Sequence, residues 1–466
     1  SQGDEDTPAW KKYAGEPVTL DWYVNYSWFA IPWGENAVSQ KITEETGVNI
    51  NFITPIGNET EKLNALIASD SLPDLITLGY WEPQVNQMIE ENMVYALNEL
   101  ADDYDAYFWQ VTDADVVNWY TMDDGNIYGY PCSTVTPKQV KEHDDIISNQ
   151  TFLVRKDIYE AIGSPDMTTP EGFKAAVEKA AEMFPEVNGE KLIPVGSHVF
   201  DNQGNVSFDK YLMNFLAVPW EKDGKYYDRY TDPEYVIWLK MFRELGEEGL
   251  LANDIFVDTR IQMEEKLAKG RYFCMLYQYS DMISQQKALY ENDPDSIYMA
   301  VDGPRNSNGD DPTLSTNNVN GWTLTLISKN CKYPERAIAF MDYMMSEHGQ
   351  MLIYLGVEGV TYDIVDGKPV LKEDVRKILN SDRETYDRLY GADDAYWMLQ
   401  NNVMQLQWKQ KAGPATEQLL EWACKYTVYN GQYDVSLSTS PEIAAMDEKC
   451  TNTTGIIYET APISSA

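Results

Sequence analysis

The first eighty residues alternate between two hydrophobic periods, and this alternation limits the possible folds more than any other feature of the chain. Apolar side chains fall on every second residue over 18–24 and 48–52, which is the period of a half-buried strand. Helical spacing occupies 38–46 and 63–67, and an apolar run follows at 75–78. This order of strands and helices is typical of parallel strands covered on both faces. We therefore predict an α/β fold.

Chain length indicates more than one folding unit. A single hydrophobic core stops growing at roughly 250–300 residues, whereas this chain has 466. A second α/β pattern begins with a strand at 152–155, and Thr169-Pro170 supplies the capping residue and first-turn proline of a helix. Turn-rich segments at 123–131 and 302–312 mark the predicted crossings. We predict a first lobe of 1–131 and 304–350, with 1–14 as a flexible tether, and a second lobe of 132–303 and 351–466.

The charge balance excludes several classes of partner. The chain carries 75 acidic and 36 basic residues, for a net charge of −39. Such a field repels nucleic acid and anionic membrane surfaces. It is compatible with simple solubility at an exposed surface and also with a cationic ligand.

Aromatic residues with a polar group are the compositional excess, with 13 Trp and 32 Tyr against 13 Phe. Rings of this kind suit a partner that is partly apolar and partly hydroxylated, as a sugar is. The five Cys and three His are scattered, so they define neither a disulfide framework nor a zinc site. No apolar run approaches the roughly 18–20 residues of a membrane span. The acidic segment 1–8 is the kind of tether expected after a removed leader.

Several blocks resemble one protein family, and they occur in the family's order along the chain. They comprise 62–76, with its Leu-Pro-Asp before an apolar strand; 125–131; 330–343; 356–362; and 366–369. Together they resemble the extracellular solute-binding proteins of ABC importers, family 1, and within it the lipoprotein-like, carbohydrate-binding group of Firmicutes. Some relatives carry a calcium loop after the helix that here ends at Phe184. Since 185–190 lacks the required set of Asp and Asn ligands, we predict no calcium there.

The resemblance implies a two-lobed, periplasmic-binding-protein-like fold, each lobe a mixed or mostly parallel sheet flanked by helices, with hinge strands between the lobes. It also implies a monomer without a cofactor or metal that captures an oligosaccharide in an aromatic-lined cleft by hinge closure. The cargo would pass to the permease subunits of an ABC importer. The expected location is the extracellular cell surface, with an N-terminal lipid anchor on the full-length protein and no transmembrane segment.

Candidate ligand-binding residues follow from the rule that ligands of open α/β sheets lie beyond the carboxyl ends of the strands. On the first lobe, we select Trp28, Trp33 and Trp81 for stacking, and Glu35 for hydroxyl groups. A charge in the first turn of a helix is the alternative for Glu35.

The remaining candidates lie farther along the chain. Trp220 and the strand exit Tyr277, Gln278 and Asp281 interleave rings with polar groups on the second lobe. Asn320 and Trp322 precede a first-lobe strand, although Trp322 could equally be a core residue. Glu358 lies in the family-like segment, where capping of backbone amides near Gly359 is the alternative role. We expect no catalytic and no metal-binding residues.

Two alternative functions stay open at this stage. The same fold could bind a peptide or another non-sugar solute, because only the cleft chemistry would differ. An extracellular glycan-active enzyme would need two opposed carboxyl groups, and the sequence singles out no such pair. It also lacks the Gly-x-Ser-x-Gly, P-loop, His-Glu-x-x-His and Gly-x-Gly-x-x-Gly motifs. We therefore expect a binding protein and not an enzyme.

Overall fold

The computed structural model describes residues 5–199 and 206–430. The strands are β1 Val18–Val24, β2 Val48–Ile53, β3 Leu75–Gly79, β4 Gly129–Pro131, β5 Gln150–Arg155, β6 Glu186–Val187, β7 Glu190–Lys191, β8 Ile193–Val195, β9 Glu221–Lys222, β10 Lys225–Tyr226, β11 Tyr272–Gln278, β12 Tyr298–Ala300, β13 Leu314–Ser315, β14 Thr323–Ile327, β15 Tyr362–Val365, β16 Lys368–Leu371 and β17 Thr427–Val428.

The α-helices are α1 Ala37–Thr46, α2 Glu59–Ala68, α3 Pro83–Glu90, α4 Leu97–Tyr104, α5 Phe108–Val111, α6 Ala114–Tyr120, α7 Pro137–Glu142, α8 Lys156–Ala161, α9 Pro170–Met183, α10 Leu212–Phe215, α11 Pro233–Glu247, α12 Arg260–Ala268, α13 Ile283–Asn292, α14 Pro334–Met345, α15 Glu347–Leu355, α16 Glu373–Ser381, α17 Arg383–Leu389, α18 Asn402–Gln405 and α19 Glu417–Cys424. Shorter 3₁₀ turns include Ala9–Tyr13, Tyr279–Met282 and Trp397–Leu399, and Ser207–Tyr211 forms a π-helical turn.

The described chain divides into two compact units. Unit 1 comprises the residues up to His143 together with Asn317–Lys411, and unit 2 comprises Asp144–Thr316 together with the residues from Ala412 onward. The chain therefore passes between units at three places. These boundaries differ from the predicted ones, which place 132–143 and 351–411 in the second lobe and 304–316 in the first.

The packing of α15 explains why 351–411 belongs to unit 1. Gln350 on α15 is fully buried, and its Nε2 donates to the Leu399 carbonyl at 3.0 Å. Its Oε1 accepts from the Asn401 backbone N–H at 2.7 Å and from Gln405 Nε2 at 2.9 Å. The Asn36 side chain on the loop before α1 bonds Tyr396 Oη at 2.7 Å. These contacts join residues 396–405 to α15 and to the loop before α1, and helical periodicity does not encode such long-range pairings.

Unit 1 is built on a five-stranded sheet with strand order β2-β1-β3-β14-β4. β1 runs parallel to β2 and β3, whereas β14 runs antiparallel to β3 and β4. Because of this arrangement, the carboxyl ends of β1, β3 and β4 lie at the same edge as the start of β14, where Thr323 pairs with Gly79. We call the loops leaving this edge, 25–36, 80–82, 132–136 and 317–322, the carboxyl edge of unit 1.

Unit 2 is built on a four-stranded sheet with strand order β12-β5-β11-β8. β8 runs parallel to β11, and β5 runs antiparallel to β11, with Gln278 of β11 opposite Gln150 of β5. The residues that follow β8 and β11 therefore share an edge with the start of β5, and we call this the carboxyl edge of unit 2. Helix α9 packs on the sheet and is capped, as predicted, by Thr169, whose hydroxyl accepts from the Gly172 N–H at 3.1 Å.

A tight hairpin follows α9 at the position where some relatives carry a calcium loop. β6 and β7 pair antiparallel, with Val187 opposite Glu190. The two turn residues Asn188 and Gly189 have φ values of 52° and 79°, as this class of two-residue turn requires. Across 5–199 and 206–430, no group of three or more His, Cys, Asp or Glu side chains is placed to hold a metal ion.

Within the same described ranges, none of the helices combines the length and the apolar character needed to cross a bilayer.

Candidate functional site

Three tryptophans and a tyrosine form a continuous aromatic surface at the carboxyl edge of unit 1. The rings of Trp28 and Trp322 are nearly parallel, at 6° and 6.2 Å between centroids. Trp322 stacks on Trp397 at 4.3 Å, and Tyr26 contacts all three indoles at 5.2–5.9 Å. Trp28 and Trp322 are partly exposed, whereas Tyr26 and Trp397 are buried. We call Trp28, Trp322 and Trp397 the indole stack.

The backbone of Trp322 is held between two neighbouring chain segments. Its N–H donates to the Cys132 carbonyl at 3.0 Å, and its carbonyl accepts from the Tyr80 N–H at 3.2 Å. Between β1 and β3, the Asn25 N–H donates to the Thr77 carbonyl at 2.9 Å. This bond continues the pairing of β1 toward Trp28. Because these bonds continue the sheet pairing, the indole stack stands on a rigid support.

Gly321 is needed for this arrangement, and its replacement gives a first prediction. The residue has φ +72°, and a Cβ added there would lie 2.2 Å from the Cys132 carbonyl oxygen. We expect Gly321→Ala to lower the free energy of unfolding by about 2–3 kcal/mol, because it adds a backbone clash to the cost of a positive φ. Thermal unfolding is the measurement. Gly125→Ala is the matched control, since Gly125 has φ +81° in open space; an equal loss in both variants would contradict the role of the clash.

Asn320 contributes a polar group beside the indole stack. The side chain is 2% exposed, and its Oδ1 accepts from Trp119 Nε1 at 2.6 Å. Its backbone carbonyl accepts from the Tyr120 hydroxyl at 2.5 Å. The Nδ2 group is buried and has no hydrogen-bond acceptor among the residues of the described chain. A buried donor without an acceptor is costly, and a ligand oxygen would satisfy it.

The other predicted residues of unit 1 lie outside the indole stack. Trp33 packs on Tyr396 at 5.1 Å, and its Nε1 donates to Thr43 Oγ1 at 3.0 Å, so its ring belongs to the packing of unit 1. Trp81 is 48% exposed, and its ring covers Gly79, where an added Cβ would lie 2.6 Å from it. Glu35 and Glu358 are exposed.

A polar network occupies the carboxyl edge of unit 2 and contains two of the predicted residues. Gln278 Nε2 donates to Asp281 Oδ2 at 2.7 Å, and Gln278 Oε1 accepts from the Tyr211 hydroxyl at 2.9 Å. Arg260 pairs with Asp281 at 3.0 Å and with Glu264 at 2.9 Å. The network fixes the Gln278 amide and leaves the Arg260 guanidinium with a carboxylate on either side.

Tyr277 and Trp220 also lie in unit 2, and each has a buried donor. The Tyr277 side chain is 1% exposed, and burial raises the pKa of its phenol well above the usual value. The Trp220 ring stacks under the Arg229 guanidinium at 4.0 Å. Neither Tyr277 Oη nor Trp220 Nε1 has a hydrogen-bond partner within the described part of the protein. The structure therefore presents Trp220 as a ring that is covered on one face by a cation.

The sequence-based candidates do not include five residues that the structure places in these clusters, namely Trp397, Tyr26, Trp119, Tyr211 and Arg260. Trp397 followed the same signal as the other tryptophans, because it lies in the aromatic pair Tyr396-Trp397. Its segment was predicted to belong to the second lobe, whereas it lies in unit 1. Tyr26 lies in the selected aromatic loop, where only the indoles were chosen.

The fold agrees with the comparisons to known proteins. Residues 37–374 match the family model described as bacterial extracellular solute-binding protein, and the chain belongs to that family. It is therefore a solute-binding protein of the kind that serves ABC importers, as the sequence predicted.

Individual relatives are distant in sequence but share the fold. The polygalacturonan/rhamnogalacturonan-binding protein YtcQ of Bacillus subtilis (strain 168) is 20% identical over 387 residues, which cover 80% of this chain and 74% of YtcQ. The alginate-binding protein AlgQ2, in a crystal structure without calcium ion, superposes with a TM-score of 0.70 at 20% identity, covering 99% of this chain and 93% of AlgQ2.

The Streptococcus pneumoniae ABC-transporter substrate-binding protein FusA, in complex with kestose, superposes with a TM-score of 0.63 at 15% identity, covering 95% of this chain and 94% of FusA. These similarities confirm the predicted fold class, an α/β protein of the two-lobed solute-binding type with mixed sheets.

Proposed function

We propose that this chain captures an oligosaccharide at the carboxyl edge of unit 1 and delivers it, chemically unchanged, to the permease subunits of an ABC importer. The indole stack is the observation that carries the proposal. Partly exposed, rigidly supported indole faces suit the C–H faces of pyranose or furanose rings, and an extended ring surface suits more than one sugar unit.

Polar groups in each unit support an orienting role. Asn320 Nδ2 is a buried donor next to Trp322, and sugar hydroxyl and ring oxygens are acceptors. In unit 2, Tyr277 Oη and Trp220 Nε1 are further buried donors without acceptors in the described structure. Gln278 and Asp281, which are fixed by the polar network, add amide and carboxylate groups of the type that bind paired hydroxyls. Hinge closure around the ligand, predicted from the family resemblance, stays a prediction.

The names of relatives agree with a carbohydrate ligand. YtcQ is named for polygalacturonan and rhamnogalacturonan, AlgQ2 for alginate, and the FusA structure contains kestose. We extend from these relatives only the general class, an oligosaccharide. Membership of an extracellular family supports a cell-surface location, and the predicted N-terminal lipid anchor and monomeric state are part of the same proposal.

Calorimetry against a panel of oligosaccharides and peptides tests the proposal. We expect at least one oligosaccharide to bind with a micromolar or tighter dissociation constant, about −8 kcal/mol or better, with a negative heat-capacity change from apolar burial. Prolonged incubation with the same ligand should release no new reducing ends. Binding confined to peptides would contradict the proposed ligand class, and turnover of the bound glycan would indicate an enzyme instead.

A further inference from the structure

Basic residues are unevenly distributed along the chain, and they are missing from a long segment that contributes to the proposed ligand site. From residue 63 to residue 137, the sequence contains 13 Asp or Glu and not one Lys, Arg or His. This segment supplies β3, β4 and two loops of the carboxyl edge of unit 1. Such a long stretch without a basic residue is unusual even for an acidic protein, because charged residues normally alternate in sign along a surface.

The other segments at this edge are equally free of basic residues. The loop 25–36 with Trp28, the segment 317–328 with Asn320 and Trp322, and the segment 389–408 with Trp397 contain no Lys, Arg or His. Every part of the chain that supplies a ring of the indole stack or a donor beside it therefore lacks a cationic side chain. The groups available here are indole faces, amides, hydroxyls and carboxylates.

Two arginines near the carboxyl edge of unit 2, Arg260 and Arg229, are already bound by groups of the protein. Arg260 lies between Asp281 at 3.0 Å and Glu264 at 2.9 Å. Arg229 is buried against Trp220 and donates to Asn214 Oδ1 at 2.8 Å. Each guanidinium is thus engaged within the protein, and binding a ligand carboxylate would require breaking one of these contacts.

We propose that the ligand of this site is an uncharged oligosaccharide, and that polyuronates are discriminated against. This inference rests on the oligosaccharide-binding function proposed above and specifies its substrate class. A uronate chain would bring several carboxylates to rings whose own chain segments supply no cation, in a protein with net charge −39. Specificity of this kind comes from repulsion and unpaired desolvated charge, and needs no additional attractive contact to the neutral sugar.

Several carboxylates of unit 1 are already bonded to protein donors and so offer little to a cationic glycan, whereas Glu35 of the loop 25–36 is exposed. Glu59 is buried and its Oε1 accepts from the Ser27 N–H at 3.0 Å. Asp113 caps α6 by accepting from the Asp115 N–H at 2.9 Å, and Asp124 accepts from the Tyr128 hydroxyl at 2.5 Å. These carboxylates hold the loops in place and are engaged with protein donors.

The test compares ligands of different charge against the full chain. The neutral set comprises fructo-, malto-, cello-, xylo-, manno- and galacto-oligosaccharides; the anionic set comprises oligogalacturonides and alginate oligomers; and the cationic set comprises chitosan oligomers. Carboxyl-reduced oligogalacturonides form a matched pair with the untreated ones. We expect the tightest ligand to be neutral. Where binding is measurable, the reduced oligogalacturonides should bind about tenfold more tightly than the untreated ones.

Salt provides an independent readout, because repulsion between exposed charges is screened at a Debye length of about 10 Å in 0.1 M salt. Weak binding of an anionic oligomer should therefore strengthen with ionic strength, whereas binding of the neutral ligand should not. A uronate or chitosan oligomer as the tightest ligand would overturn the inference of an uncharged substrate and leave the oligosaccharide function intact. Binding of peptides without binding of any glycan would overturn both.

Discussion

Replacing Trp322 with alanine should weaken oligosaccharide binding by about 30- to 1000-fold, which corresponds to about 2–4 kcal/mol and is the size typical of a buried aromatic hot spot. Trp322 is the central member of the indole stack, because it contacts Trp28 at 6.2 Å, Trp397 at 4.3 Å and Tyr26 at 5.6 Å. Its removal takes away one stacking face and also loosens the packing of the other two indoles. Calorimetry with the best ligand measures the loss directly.

The size of the effect depends on the ring itself, so a graded series separates stacking from general damage. Trp322→Phe keeps an apolar ring with a smaller face, and we expect a loss intermediate between wild type and alanine. Trp109→Ala is the matched control, since Trp109 is also a half-buried indole of unit 1, but it bonds Asp102 at 3.1 Å on α4 and has no ring contact with the stack. We expect Trp109→Ala to leave affinity within about twofold of wild type.

Two outcomes would contradict this role for Trp322. One is unchanged affinity in Trp322→Ala with a native thermal unfolding profile. The other is an equal loss in Trp109→Ala, which would trace the effect to the stability of unit 1 instead of to contact with the ligand. Circular dichroism on each variant distinguishes a folded protein with an impaired site from a protein that fails to fold.

Local sequence patterns predicted the elements of the fold well. β1 covers the predicted segment 18–24 and β3 begins with the predicted apolar run 75–78, because each is an alternating or apolar stretch bounded by turn signals. Helix α1 ends before Gly47, which adopts φ 73° as the predicted end of that helix. The strand-end rule also placed Trp28 at this edge, and the structure brings Trp322, which precedes β14, to the same place.

Long-range packing was the part that the sequence could not specify. The helical segment containing Trp397 carries no local signal for which unit it covers, and burial of Gln350 against Leu399 and Gln405 decides the matter. Trp33 was indistinguishable from Trp28 by spacing, since both lie in one aromatic loop. Only the hydrogen bond to Thr43 and the contact with Tyr396 assign its ring to the packing of the unit. Side-chain direction in a loop depends on partners that are distant in sequence.

Asp342→Asn should stabilise the protein at neutral pH by about 2–4 kcal/mol, which is unusual for a change at a fully buried position. Asp342 on α14 and Asp105 after α4 are both buried, at 0% and 2% exposure. Burial and the neighbouring Asp105 carboxylate raise the pKa of Asp342 to about 9. At pH 7, Asp342 therefore keeps its proton beside Asp105, whose Oδ1 accepts from the Ala9 N–H at 3.1 Å.

The direction of the pH dependence follows from this raised pKa. The folded protein holds a proton on Asp342 that the unfolded chain releases above its ordinary pKa of 3.8. The contribution of this proton to the free energy of unfolding is complete below pH 3.8 and is lost as the pH rises toward about 9. At pH 7, the interval above 3.8 corresponds to about 4 kcal/mol at most, since one pKa unit is worth 1.36 kcal/mol. Asparagine supplies a permanent N–H donor to Asp105, so this dependence should disappear in the variant.

The measurement is thermal or urea unfolding of wild type and Asp342→Asn between pH 5 and pH 9, compared as a difference so that other titrating groups cancel. We expect the variant to gain stability relative to wild type as the pH rises across this window. Asp374→Asn, the same chemical change at an exposed position on α16, should differ from wild type by less than about 0.5 kcal/mol at every pH. A constant difference between Asp342→Asn and wild type would show that Asp342 does not keep its proton beside Asp105. In that case the N-terminal turn at Ala9–Tyr13 would be held by an ionised Asp105 alone.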